Sequence, residues 1–268
     1  MIDRGKRPVL GVGIDVIDYA AAVARIIDAA RERRAFTVSA LAVHGVMEGF
    51  SNPSHRYRLN RFDLVVPDGQ PVRWALRLLH GEALRSRVYG PKLTLLVCEA
   101  AARAGLPVYC YGSTPAVLGK FAGNLRAMFP GLVISGLAPS RFEKADAARN
   151  AAIMDEIRAH APGIVLVGLG CPRQEIFAFE NAEALSCPVL AVGAAFDFVA
   201  GTARQAPDWM GERGLEWLFR LLHEPRRLWR RYLILNPLFC WNVARQRLAP
   251  NRYRAADDRP PARQEHYV

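Results

Sequence analysis

The sequence predicts an α/β fold: a mostly parallel sheet with helices on both faces, followed by a helical, basic C-terminal appendage. Three observations carry this. From about residue 8 to residue 210, short apolar runs alternate with amphipathic segments. The turns between them are rich in glycine, serine and proline. After Pro207 the composition shifts to tryptophan, leucine and arginine. Strand, small-residue turn and helix, repeated several times, is the pattern of a Rossmann-like sheet.

The elements follow in order. LVVP at 64–67 is a short apolar strand leading into a helix from Pro71. Proline suits the first helical turn, where its missing N–H costs nothing. PVYCYG at 107–112 leads into a helix from Pro115, and GIVLVGLG at 163–170 leads into PRQEIFAFENAEAL. PVLAVGAAFDFVAG follows at 188–201, and no solenoid-type repeat is present. In such sheets ligands bind outside the carboxyl ends of the strands. Asp68, Gly112–Ser113 and Gly168–Gly170 all fall on that edge.

LEWLFRLLHEP reads as a helix stopped near Glu224, because Pro225 disfavours helical geometry in the residue before it. A second helix, RRLWRRYLIL, starts at Pro225. Its Arg226/Arg230 and Arg227/Arg231 are i,i+4 pairs forming a basic stripe, with Trp229, Tyr232 and Leu233 on another face. NRYRAADDRPPARQEHYV reads as a disordered tail. The organisation is therefore a catalytic-type α/β domain over 1–210, a helical appendage over 211–248 and a disordered tail over 249–268.

The formal charge is +11, and residues 220–254 hold nine arginines against one acid, Glu224. Such a block points to an anionic partner: lipid headgroups, nucleic acid or a phosphorylated substrate. The five cysteines are scattered without a C-x-x-C pair, which argues against a zinc site or a disulfide scaffold and suits a reducing compartment. The histidines show no metal-ligand spacing, and His44 in SALAVHGVMEG is the one to track. There is no D-x-D, no G-x-S-x-G and no P-loop lysine. No signal peptide is expected, and no window approaches the about 20 apolar residues that span a bilayer.

Each candidate motif has a plain reading beside its functional one. Asp68, in VVPDGQP, is either a turn and capping residue or a reactive carboxylate. Ser113 and Thr114, after Gly112, either cap a helix or leave backbone N–H groups free for a phosphate. In VGLGCPRQE the glycines allow close approach of a ligand that Arg173 or Gln174 could bind; alternatively it is a tight turn. A dinucleotide site fits poorly: GVGID lacks the third glycine of the fingerprint, and so does GLGCPR.

Read together, FDLVVPDGQPVRWALRLL, VYCYGSTP, VLVGLGCPRQE, VGAAFDFVAGTARQAPDWM and GLEWLFRLLHEPRRLWRRYL resemble the WecG/TagA/CpsF family of bacterial glycosyltransferases along residues 8–240. The resemblance implies inverting transfer from a UDP-sugar to a polyprenyl-diphosphate-linked saccharide, without a D-x-D metal site or other cofactor. It implies a peripheral enzyme on the cytoplasmic face of the cell membrane, serving surface or exopolysaccharide synthesis, and self-association. The family's D-G aspartate falls on Asp68 as general base, and its P-x-Q-E glutamine falls on Gln174, near the sugar or nucleotide. Arginines of the appendage are implied at the site, here Arg220, Arg227 and Arg231 among others. Ser39, His44, Gly69, Arg77, Gly112, Ser113, Gly168, Gly170 and Arg173 complete the expected substrate contacts.

Two departures bear on the donor. Many members carry T-x-N near the end of the second strand, where this chain has Ser39-Ala40-Leu41. Many carry G-S-D-L where it has Gly90-Pro91-Lys92-Leu93. Both bring the chain closer to xanthan-type β-glucosyltransferases and away from N-acetylmannosamine or its uronic acid. Outside the family, the arginines with Trp229 and Tyr232 would suit a nucleic-acid-binding module.

Overall fold

A strand covered by helices on both faces must be apolar on both, so it reads as a run rather than an alternation. The computed structural model describes residues 1–253 and 258–267. In it LVVP, VYCYG and IVLVG are strands buried at every residue. The chain begins with an antiparallel hairpin of β1 (Asp3–Val9) and β2 (Val12–Ile17), then α1 (Tyr19–Arg31). Next come β3 (Phe36–Leu41), α2 (Val43–Ser51), α3 (Pro53–Asn60), β4 (Leu64–Pro67), α4 (Gln70–His80) and α5 (Gly90–Ala104). They are followed by β5 (Val108–Gly112), α6 (Pro115–Met128), β6 (Ile134–Ala138), β7 (Lys144–Ala145) and α7 (Ala147–Ala159). The body ends with β8 (Ile164–Gly168), α8 (Arg173–Leu185), β9 (Pro188–Ala191) and α9 (Ala195–Val199).

Six strands form the central sheet in the order β4-β3-β9-β8-β5-β6, every neighbouring pair parallel. Alternation along the strands divides the core in two. Tyr109, Tyr111, Val165 and Val167 face one apolar layer; Val108, Cys110, Ile164 and Leu166 face the other. Stacked aromatic pairs mark both layers: Tyr111 with Phe177 at 4.7 Å, and Phe121 with Phe196 at 4.4 Å. The predicted α/β fold with helices on both faces is the observed one.

The hairpin was not predicted. Leu10 (φ 52°) and Gly11 (φ 82°) form its turn, so the glycines of GVGID serve an antiparallel ribbon rather than a nucleotide-binding turn.

The appendage runs through α10 (Asp208–Glu212), α11 (Glu216–His223), α12 (Pro225–Trp229), a π-helical turn (Arg230–Leu235) and α13 (Asn236–Leu248). Glu224 leaves helical geometry (φ −132°, ψ 56°) and Pro225 opens the next helix, as the proline predicts. Helix α13 docks on the body through buried Phe239 and Val243. Its Gln246 donates to Pro8 O at 3.1 Å and accepts from Leu10 N–H at 2.8 Å.

The tail expected to be disordered is tied down where it is described; residues 254–257 and 268 lie outside the described residues. Tyr253 is buried and stacks on Phe50 at 6.1 Å. Asp258 accepts from Arg56 at 2.6 Å and from Asn60 at 2.7 Å. His266–Tyr267 (β10) pairs with β7. Its charged composition suggests solvation, yet Tyr253 and Asp258 make these contacts with the body. Among the described residues, no helix is long and apolar enough to cross a membrane.

Candidate active site

Asp68 follows the last residue of β4, and its backbone N–H donates to Leu41 O at 3.2 Å. It does not cap α4, whose N-cap is Gly69 and which has no side-chain capping bond. Instead Oδ1 accepts from Gly90 N–H at 3.3 Å, at the start of α5. Burial pushes the carboxyl up to about 6; Arg87 pulls it down, Glu216 pushes it up, and Gly90 N–H and Arg220 pull it down further. The group is thus partly covered, ionisable near neutrality, and not engaged as a turn residue.

A cavity of about 470 Å³ opens over the carboxyl edge of the sheet, with Asp68 on its wall. His44, Gly69, Ser113, Gly168, Gly170, Arg173 and Gln174 also line it, as do Arg220, Arg227 and Arg231 from the appendage. The sequence reading placed all of these in the site, and the fold brings them together. The Nε of Arg220 is buried and has no hydrogen-bond partner among the described residues. Arg227 is paired with Glu224 at 2.7 Å. The His44 ring is held down to about 4, first by burial and then by Arg231, so at neutral pH it is an uncharged wall.

Three predicted residues are not on the cavity lining. Arg77 is exposed in the last turn of α4, seven residues or about 10 Å along the axis from the end that faces the cavity. Ser39 is fully buried below the floor, donating to Glu175 Oε1 at 3.1 Å. Gly112 (φ 113°) serves close packing of strands: a Cβ there would stand 2.7 Å from Gly168 O.

The expected phosphate cradles are also filled by the protein. Ser113 N–H donates to Gly168 O at 3.0 Å, and Thr114 caps α6 by accepting from Val117 N–H. Gly170 N–H donates to Gln174 Oε1 at 3.2 Å. At the first of these turns Thr114 makes the ordinary capping bond, and the arginines supply the positive charge of the cavity.

Gln174 is buried and links the wall to the interior, donating to Glu175 Oε1 at 2.9 Å. Gly193 (φ 47°) leaves room for it, since a Cβ would stand 2.7 Å from Gln174 Oε1. Burial raises the fully buried Glu175 carboxyl, while its hydrogen bond from Gln174 lowers it.

Sequence reasoning missed Arg87, Tyr89, Glu216 and Trp217. Arg87 ion-pairs with Glu216 of α11 and lies over the Tyr89 ring at 4.3 Å. Arg87 and Tyr89 stand in a loop without a pattern of its own; only Gly90-Pro91, opening α5, marks their position. Tyr232, grouped by the sequence with Trp229 on a face apart from the basic stripe, lines the cavity 6.2 Å from Trp217. The π-helical turn, with its wider winding, begins just before it.

A carboxylate that exchanges its proton near neutrality, facing a space large enough for a substrate, suits the removal of a proton from an attacking hydroxyl. The fold and site are those of an α/β protein equipped for general-base chemistry. Comparison with known proteins takes the assignment further. The chain belongs to the glycosyl transferase WecG/TagA/CpsF family, whose family model matches residues 7–253. It is similar to the N-acetylglucosaminyldiphosphoundecaprenol N-acetyl-beta-D-mannosaminyltransferase of Bacillus spizizenii. The identity is 30% over 204 residues, covering 76% of this chain and 76% of that one. The chain is a glycosyltransferase, and the resemblance read from its motifs holds.

Proposed function

We propose that the enzyme moves a hexose from a UDP-sugar to a polyprenyl-diphosphate-linked saccharide in one inverting displacement, with Asp68 as general base. The observation that carries this is the placement of Asp68, raised to about 6, on the wall of an arginine-lined cavity. The acceptor hydroxyl gives its proton to Asp68 as its oxygen bonds to the anomeric carbon. The bond from that carbon to the diphosphate oxygen breaks, and its electron pair leaves with UDP. Arg220, Arg227 and Arg231 offset the charge that grows on the leaving group. Gln174 meets the sugar or nucleotide. The acceptor class is supported by the name of the Bacillus spizizenii relative, which specifies a diphosphoundecaprenol.

UDP-glucose is the proposed donor. Leu41 borders the cavity where family members place an asparagine, and it offers no amide to an N-acetyl group. The second reading is UDP-N-acetylmannosamine or its uronic acid, favoured by the group named in the relative. UDP release from a panel of these donors, with a polyprenyl-diphosphate saccharide acceptor, separates them. Release with UDP-glucose alone supports the first reading, and release with the N-acetylated donor alone replaces it. Failure of every UDP-sugar sinks both.

The acceptor also requires a membrane surface, and the appendage suits an anionic one on the cytoplasmic face. Trp229, Leu233, Ile234 and Trp241 are exposed beside Arg226 and Arg230. Each arginine near such a surface contributes on the order of 1 kcal/mol, and tryptophan favours the interface.

A further inference from the structure

Side chains from two distant segments meet at the cavity wall, where Cys171 and Glu175 are lining residues. His55 comes from α3, Cys171 from the turn after β8 and Glu175 from the first turn of α8, with one ligand-type atom of each within 4.8 Å of the others. Their polar atoms are not satisfied by the rest of the described residues. His55 is only 2% exposed, and neither ring nitrogen has a hydrogen-bond partner. A neutral imidazole carries one N–H and one lone pair, so a buried donor and a buried acceptor are both unmet. Glu175 is fully buried; Oε1 accepts from Ser39 and Gln174, and the carboxylate also accepts from the Cys171 thiol, a bond within the cluster itself.

We propose that His55, Cys171 and Glu175 form a binding site for a borderline divalent cation, zinc being the ion whose preferences they fit. Imidazole, thiolate and carboxylate are its ordinary ligands, at about 2.0–2.3 Å in tetrahedral array. Such ligands stand about 3.3–3.8 Å apart, so binding draws the three together by roughly 1 Å. Magnesium and calcium demand oxygen ligands and do not suit the set. Thiolate and carboxylate together balance the ion's charge, and the thiol proton leaves to solvent on binding. Positive neighbours do not undo this: Arg58, beside His55, is paired with Glu180 at 3.2 Å. Arg231, acting on Cys171, is opposed there by Glu48.

The ion holds Oε2 of Glu175 and thereby fixes Oε1, which holds Ser39 and the cavity residue Gln174. It is a positioning element within the wall. The glycosyl transfer proposed above has no step that requires it, so the two readings fail separately.

The test is titration of the full-length, chelator-treated protein with cobalt(II), followed by displacement with zinc. Stoichiometric uptake is expected, with a sulfur-to-cobalt charge-transfer band and the strong visible bands of a tetrahedral site. Cys171→Ser should abolish the charge-transfer band, and His55→Gln should weaken affinity on the order of a hundredfold. Circular dichroism reports whether each variant is folded. A folded parent without the thiolate band overturns the proposal, as does a band unchanged in both folded variants. If neither variant folds, the parent's spectrum decides by itself.

Discussion

Replacing Asp68 by asparagine removes a charge that the fold holds against its preference. The variant should be more stable than the parent at neutral pH and far less active. Burial is the main cause of the rise from 3.8 to about 6, with Arg87 and Glu216 acting in opposite senses. A shift of about 2 units disfavours the ionised form by about 3 kcal/mol. An unfolded aspartate loses its proton near 3.8 and the folded one near 6, so between these the folded state binds more protons. Stability of the parent therefore falls as pH rises through that window, and the loss is complete above about 6. Asparagine has no such titration. The figure is an upper one, because Arg87 loses a neighbouring anion in the variant. Urea unfolding near pH 4 and near pH 8 should show the variant's advantage widening by about 1–3 kcal/mol. Turnover should fall by about 10²–10⁴-fold. An advantage that does not change with pH refutes the account of the buried carboxylate, and near-normal turnover refutes the base.

The acid limb of kcat/KM should lie at about 6, the value to which Asp68 is raised. Arg87→Met should move that limb upward, because the arginine is the largest influence lowering the group; a pH–rate profile reads this directly. Gly112→Ala forces a Cβ to within 2.7 Å of Gly168 O at φ 113° and should cost about 3 kcal/mol or more in chemical denaturation. Trp229→Ala with Trp241→Ala should weaken binding to anionic vesicles by about tenfold or more with catalysis on a soluble acceptor intact; sedimentation with vesicles checks the first and UDP release the second.

Where a segment's chemistry was local, the sequence was legible. LVVP, VYCYG and IVLVG are buried on both faces, and that demand is visible in their composition. Pro225 ended one helix and began another through its own sterics. Asp68, Gly168, Gly170 and Gln174 could be placed because strand-end turns must face the ligand edge. What stayed hidden depends on residues far apart in the chain. The Leu10-Gly11 turn lacks the usual asparagine-glycine signal, so the hairpin was missed. Arg87 meets Asp68 and Glu216 only in the folded chain, and Ser39 was assigned to the ligand when its hydroxyl serves Glu175. Cys171 and Glu175 are only four residues apart, but His55 joins them solely because α3 packs against α8, which no spacing reveals.

The bonds from Gln246 to Leu10 and Pro8 join positions 236 and 238 residues apart. During synthesis this junction cannot form until the chain has emerged past Gln246. Until then the hairpin turn keeps a donor and an acceptor open to water, and the surface that receives Phe239 and Val243 stays uncovered. Closing so long a loop costs only about 0.6 kcal/mol more than closing one half its length. The delay is therefore one of timing more than of energy. Arg220, Arg227 and Arg231 reach the cavity from the same region, so a nascent chain places its arginines around the substrate space only after the strands of the sheet have been made.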